Sequence, residues 1–167
     1  MHVVVNAAAS ADGKLSTRRR EQVEISGSDD FARVDRLRAT SDAVLVGVGT
    51  VLADDPHLTL DDPSRRQERE ARGDPRNPAR VVVDSSGRTP LDARILDDEA
   101  TTYVVVADET TATRKAALED AGAEVLVAGD ERVSLPEAFA KLGERGVDDP
   151  MVEGGGEIIY SLFAAGL

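Results

Sequence analysis

The chain has 167 residues, 41% of them hydrophobic and only 3% aromatic, and carries a formal net charge of −12 from 32 acidic and 20 basic side chains. That length suits one α/β domain with a core of Val, Leu, Ile and Ala. So acidic a surface excludes nucleic acid and anionic membranes as partners, because neutralising phosphates needs clustered cations. The absence of cysteine excludes disulfides, thiolate nucleophiles and Cys-ligated metals. The two histidines, His2 and His57, lie too far apart in sequence to suggest a metal site or a His-based triad.

The opening MHVVVNAAAS lacks a basic flank and is too short for a secretory h-region, so His2 to Asn6 reads as a first buried strand. No apolar run approaches the length of a transmembrane helix, and the expected location is the cytoplasm. Lys14, Lys115 and Lys141 are the only lysines; so acidic a surface suits a salt-rich interior. Ala7 to Thr17 reads as a loop. Ser26 followed by Asp29 gives a capping-box-like start to a helix reaching about Ala39, with Phe31, Val34, Leu37 and Arg38 near one face.

Ala43 to Val48 and Arg80 to Asp84 read as buried strands. Between them, Asp61 to Ala79 (DDPSRRQEREARGDPRNPA) is so charged and proline-punctuated that a solvated loop is expected. Thr102 to Ala107 is a strand, Thr111 to Ala121 a helix stopped by Gly122, and Glu124 to Val127 another strand. Ser134 to Arg145 is a helix with Ser134 as N-cap and Gly146 as stop, Arg145 facing the negative end of its dipole. Pro150 to Glu153 is a short strand, and Gly154 to Ala165 turns into a last helix. Such alternation predicts a mostly parallel central sheet with helices on both faces.

Three segments could carry chemistry. In Met151 to Ile159 (MVEGGGEII) an apolar strand meets three glycines and then an apolar helix. Glycines admit a ligand close to the backbone, and the helix start offers free N–H groups, which together make a phosphate or pyrophosphate cradle. Glu153 stands just before it, at the carboxyl end of a strand, where open sheets bind ligands. Gly47 to Pro56 (GVGTVLADDP) begins like a dinucleotide fingerprint, but Leu52 stands where the third glycine belongs. The plainer reading is a strand ending in a loop, with Thr50 and Asp54 as turn formers. In Ser10 to Lys14 (SADGK), Asp12-Gly13 is a turn dipeptide, and Lys14 could donate a proton, which arginine cannot.

Together these segments resemble a known family. Asn6 with Ser10 to Lys14, Ile25-Ser26, Leu37-Arg38-Ala39, GVGTVLADDPHLT (Gly47 to Thr59), Arg76-Asn77-Pro78, RVVVDSSGRTP (Arg80 to Pro90) and EGGG (Glu153 to Gly156) follow its order. The resemblance is to the reductase of riboflavin biosynthesis: the stand-alone archaeal and fungal form, and the C-terminal half of bacterial bifunctional deaminase–reductases. It implies a dihydrofolate-reductase-like fold and a homodimer. The implied reaction is NADPH-dependent reduction of the ribosyl group of a pyrimidine 5′-phosphate to a ribityl chain.

By the same resemblance Asn6, Arg38, Leu58 and Glu153 hold the substrate, Arg38 on its 5′-phosphate. Ala9, Thr50, Asp54, Ser85 and Gly154, Gly155 and Gly156 contact NADPH. Arg88 joins Ser85 as the expected partner of the cofactor's 2′-phosphate, and Lys14 and Asp54 are the expected proton-moving residues. Asp35 stands where many relatives carry histidine. Relatives continue with further strands, so residues 1–167 are expected to form a single reductase domain lacking the family's C-terminal strands. The expected substrate is the diamino pyrimidinone. Its deaminated form, another reductase of the same fold and a non-catalytic nucleotide-binding module are the alternatives.

Overall fold

Runs of valine with no polar interruption build the centre of the molecule. The computed structural model describes residues 1–9 and 28–167. Strands β2 (Ala43–Gly47), β3 (Ala79–Val83) and β4 (Thr102–Val106) lie side by side in a parallel sheet, and Val44, Val81, Val82, Val104 and Val105 are fully buried. Burying such a side chain is worth about 1.5–3 kcal/mol, whereas β-propensity spans only about 1 kcal/mol. Burial on both faces therefore fixes these strands. They are joined by β1 (Val4–Val5), β5 (Ala123–Val127) and β6 (Pro150–Gly154) in the order β1-β6-β2-β3-β4-β5, every pairing parallel.

Alternate side chains feed two cores, as the two-residue period of a strand requires. On one face Leu45, Val81, Val83 and Val105 pack with Leu135, Phe139 and Leu142 of helix α5 (Leu135–Gly143) and Leu162 of helix α6 (Gly156–Ala165). On the other, Val44, Val46, Val82 and Val104 pack with Val48 and Val51 of α2 (Val48–Asp54) and Leu118 of α4 (Ala112–Asp120). The chain steps from β2 to β5 in one direction and returns to β6 through α5. Right-handed crossovers place the outward and return helices on opposite faces, as seen.

Several expectations need correction. The first strand spans Val4–Val5 rather than His2 to Asn6, although Asn6 N–H still donates to Val152 O at 2.9 Å. Helix α1 runs Ser28–Thr40. Phe31 on it is 55% exposed instead of joining the apolar face. Ser26 and the part of the expected loop beyond Ala9 fall outside the described residues. Val48–Asp54 is helix α2, not a loop, and a 3-10 turn at Arg94–Leu96 was not anticipated. Ser134 stands at the N-cap of α5, but its side chain makes no capping bond.

The largest departure is Asp61 to Ala79, where a helix, α3 (Pro63–Arg72), replaces the expected loop. Asp62 caps it by accepting from Ser64 N–H at 2.9 Å, Pro63 opens it, and Gly73 closes it at φ +86°. Arginines, not apolar side chains, dock this helix. Arg69, 4% exposed, donates to the carbonyls of Pro75 at 2.8 Å, Ala39 at 3.0 Å and Ser41 at 2.9 Å. Arg65 donates to the buried carboxylate of Asp35, which also accepts from Asp61 N–H at 2.8 Å. The carboxylate at position 35 thus pins the start of α3 to α1.

Arg69→Ala removes the Arg69 bonds to the carbonyls of Ser41 and Pro75, leaves Ala39 O with Arg72 alone, and opens a void. It should lower unfolding free energy by about 2–4 kcal/mol, read by urea denaturation. A loss below about 0.5 kcal/mol, typical of surface changes, would show that water replaces the guanidinium without penalty.

Candidate active site

The carboxyl ends of β2 and β6 meet at a pair of glycines. Gly155 caps α6 at φ +94°, a conformation costly for any other residue. A Cβ on Gly155 would come within 3.3 Å of Gly47 N, and one on Gly154 within 2.8 Å of Thr50 Oγ1. The glycine run therefore lets the β6–α6 turn lie directly against the start of α2. No side chain caps α6, so its first N–H groups remain available to an acceptor. The glycines themselves serve the close approach to Thr50, Ile158 and Gly47, and what suits a phosphate group here is the uncapped helix start.

Glu153 owes its placement to a register shift. Leu45 pairs with Val152 but Val46 pairs with Gly154, so Glu153 is the extra residue of a bulge in β6. Bulges re-aim side chains beside functional sites. Its carboxylate takes a bidentate pair of bonds from Arg38 of α1, Nε to Oε1 at 2.6 Å and a terminal nitrogen to Oε2 at 2.6 Å. Both side chains are largely buried, 17% and 10% exposed. The remaining terminal nitrogen of Arg38 donates to Thr59 O at 2.9 Å. Burial works against the Arg38 charge, but the Glu153 bond and the carboxylates of Glu153, Asp61 and Asp35 outweigh it and hold its pKa above the ordinary value.

The loop after α2 completes this end of the site. Leu58 is buried at φ +55°, and Asp55 turns at φ +40°. Such strain persists only where neighbours over-determine it, and here they do. Asp55 accepts from Arg94 N–H at 2.9 Å, Leu60 N–H donates to Asn77 at 3.1 Å, and His57 Nε2 lies 2.9 Å from Asp97. Burial opposes ionisation of Asp97, yet hydrogen bonds from Arg80 and Glu99 N–H and the charges of Arg80 and His57 prevail, so its pKa falls below the ordinary value. Asp54, at the exposed end of α2, has its pKa pushed up by burial.

The residues singled out in the sequence thus fall into two groups. Asn6, Arg38, Thr50, Leu58, Glu153 and Gly154–Gly156 gather where β1, β6 and β2 end. Ala9 is exposed on the segment leaving β1, and Lys14 lies outside the described residues. Ser85 and Arg88 sit farther along the sheet, after β3, beside a cleft of about 330 Å³ lined in part by Ser85, Gly87, Glu109, Arg114 and Glu131. Sequence reasoning missed Arg33, whose guanidinium donates to Asn6 Oδ1 at 2.8 Å, and the Thr59 carbonyl that holds Arg38. The described residues contain no grouping of His, Asp and Glu suited to a metal ion. None of their helices is long and apolar enough to cross a membrane.

A six-stranded parallel sheet flanked by helices, with its candidate site at the carboxyl edge, is an α/β architecture, and its structural neighbours place it in the dihydrofolate-reductase-like class. The whole chain, residues 1–167, matches the family model described as the RibD C-terminal domain, and the chain belongs to that family. It is 49% identical over 166 residues to the 2,5-diamino-6-ribosylamino-4(3H)-pyrimidinone 5′-phosphate reductase of Archaeoglobus fulgidus, covering 99% of this chain and 75% of that one. The protein of the same name from Methanothermobacter thermautotrophicus is 44% identical, with 99% of this chain and 73% of that one covered. A pyrimidine reductase-like protein of Corynebacterium diphtheriae shares the fold at a TM-score of 0.86 and 20% identity, over 99% of this chain and 70% of that one. A deaminase/5-amino-6-(5-phosphoribosylamino)uracil reductase of Thermotoga maritima aligns at a TM-score of 0.74 and 26% identity, over 98% of this chain and 42% of that one. The chain therefore spans about two fifths of that bifunctional protein.

Proposed function

We propose that this chain is a cytoplasmic, homodimeric reductase of riboflavin biosynthesis. In this reading it uses NADPH to convert the ribosyl group of 2,5-diamino-6-ribosylamino-4(3H)-pyrimidinone 5′-phosphate into a ribityl chain. The observation that carries this reading is the 49% identity, over 99% of the chain, with a protein named for that substrate and reaction. The deaminated pyrimidine is the second reading, favoured by the likeness to the uracil reductase half of the bifunctional protein.

When bound, the reduced nicotinamide supplies the hydride that reaches C1′; this chain's residues supply alignment and protons. Thr50 and the Gly154–Gly156 turn hold the pyrophosphate, with Ala9 and Asp54 beside it. Ser85 and Arg88 take the nucleoside end. Ring opening breaks C1′–O4′, placing a proton on O4′ and leaving an imine at C1′. Hydride addition to C1′ then requires a proton on the nitrogen. Lys14 and Asp54 serve these transfers, and partial burial shifts the Asp54 carboxyl upward from its ordinary value.

Asn6, Leu58, Arg38 and Glu153 hold the substrate. Its phosphate and its pyrimidine amino groups lie on opposite sides of the ribose, so two side chains in mutual contact cannot grasp both ends. Arg38 and Glu153 must part as the substrate enters, Arg38 turning to the phosphate and Glu153 to the amino groups. Steady-state kinetics with both pyrimidines and both nicotinamide cofactors tests the whole reading. The diamino compound with NADPH should give the highest kcat/KM, and faster turnover of the deaminated compound would select the second reading. Arg88→Ala should raise KM for NADPH about tenfold more than that for NADH. Equal effects on the two cofactors would remove Arg88 from the 2′-phosphate.

A further inference from the structure

Asp84 ends β3 with a carboxylate that is fully buried yet only half used. Its Oδ2 accepts from Thr89 N–H at 2.7 Å and from Thr89 Oγ1 at 2.7 Å, while Oδ1 has no hydrogen-bond partner. An uncompensated buried carboxylate oxygen is expensive and attracts the nearest cation. That cation is Arg88, whose Nε lies 4.0 Å from Oδ1 while its side chain is 60% exposed. The terminal nitrogens of Arg88 have no partner among the described residues. A guanidinium drawn to a buried carboxylate at Nε, with its outer edge free, is shaped to receive an anion.

The surroundings make Arg88 decisive. The adjoining cleft carries Glu109 and Glu131, and its one arginine, Arg114, already donates to the carbonyls of Gly87 and Thr89. Without Arg88 this neighbourhood would disfavour a second phosphate. The turn bearing Arg88 is rigid: Gly87 N–H donates to Asp84 O at 3.1 Å, and Ser85 Oγ accepts from Val133 N–H at 3.0 Å. Ser85 keeps its hydroxyl proton for a ligand oxygen.

We infer that Asp84 is a positioning residue for cofactor choice: it seats Arg88 so that the outer guanidinium edge meets a phosphomonoester on the cofactor ribose. This rests on the NADPH reading above. Asp84→Asn keeps an acceptor for Thr89 but removes the charge that draws Arg88. The NADPH-to-NADH ratio of kcat/KM should fall about five- to tenfold, with a matching loss of NADP⁺ over NAD⁺ affinity by calorimetry. In an Arg88→Ala background, Asp84→Asn should change the ratio no further. If Asp84→Asn does not fold, Arg88→Lys, which keeps the charge but not the fork, should lower the ratio alike. A ratio that is unchanged or raised in Asp84→Asn, or in Arg88→Lys, overturns the seat. So does an effect of Asp84→Asn that persists without Arg88. A wild-type preference for NADH sinks the NADPH reading itself, whereas an Arg88→Ala variant with an unchanged ratio removes Arg88 from the 2′-phosphate and overturns the seat with it. A preference that falls in Arg88→Ala but not in Asp84→Asn sinks the seat alone.

Discussion

Arg38→Met should cost about 3 kcal/mol or more of folding stability, because removing one partner of a buried ion pair strands the other. Glu153 would keep a carboxylate 10% exposed that has lost both of its charge-assisted bonds. The double variant Arg38→Met, Glu153→Leu removes both charges and should recover at least half of that loss, since a buried pair often contributes little beyond an apolar isostere. Stability without function is the expected state of the double variant, with substrate affinity abolished and cofactor binding retained. Thermal unfolding checks the first claim. A shift in Tm below about 2 °C for the single variant would mean the pair opens freely in the unliganded protein.

Lys14→Met should lower kcat at least about tenfold, towards the hundred- to ten-thousand-fold range typical of general acid help. The thioether keeps most of the stem length and removes the ammonium that gives up the proton. Cofactor affinity should hardly change, the pattern of an interaction made chiefly in the transition state. Stopped-flow single-turnover rates separate this from slowed product release. A single-turnover rate near wild type would move the proton transfer to Asp54, whose pKa already lies above the ordinary carboxylate value.

The strands were legible because valine runs such as Arg80–Asp84 have no polar face to expose, and only a two-sided parallel sheet accommodates that pattern. The glycine triplet was legible as a place of close approach because side-chain-free residues in series have few other uses. Helix α3 was not, since arginine is ordinarily read as a solvated cation. The heads of Arg65, Arg66 and Arg69 instead find a carboxylate and carbonyls contributed by other segments. The first glycines of GVGTVLAD concealed α2 in the same way: Gly47 belongs to the strand and Gly49 opens onto free space, so neither breaks the helix. Asn6, Arg38 and Glu153 could be marked singly by resemblance. Their mutual arrangement depends on a one-residue bulge between Val152 and Gly154, and no local pattern announces where a ladder slips.

Strand β6 comes latest in sequence among the described strands and is the one that separates β1 from β2. Until residues 150–154 leave the ribosome, Val4 and Val5 lack the strand they pair with, and Gly47 faces no glycine turn. Arg38 waits for a carboxylate 115 positions later in the chain. The nascent chain can lay down β2 through β5 by neighbour-to-neighbour steps, each closing a modest loop. It then presents β2 as a temporary hydrophobic edge until β6 wedges in beside it. A chain made only through β5 has four strands in place but neither the glycine turn beside Gly47 nor the carboxylate that Arg38 pairs with.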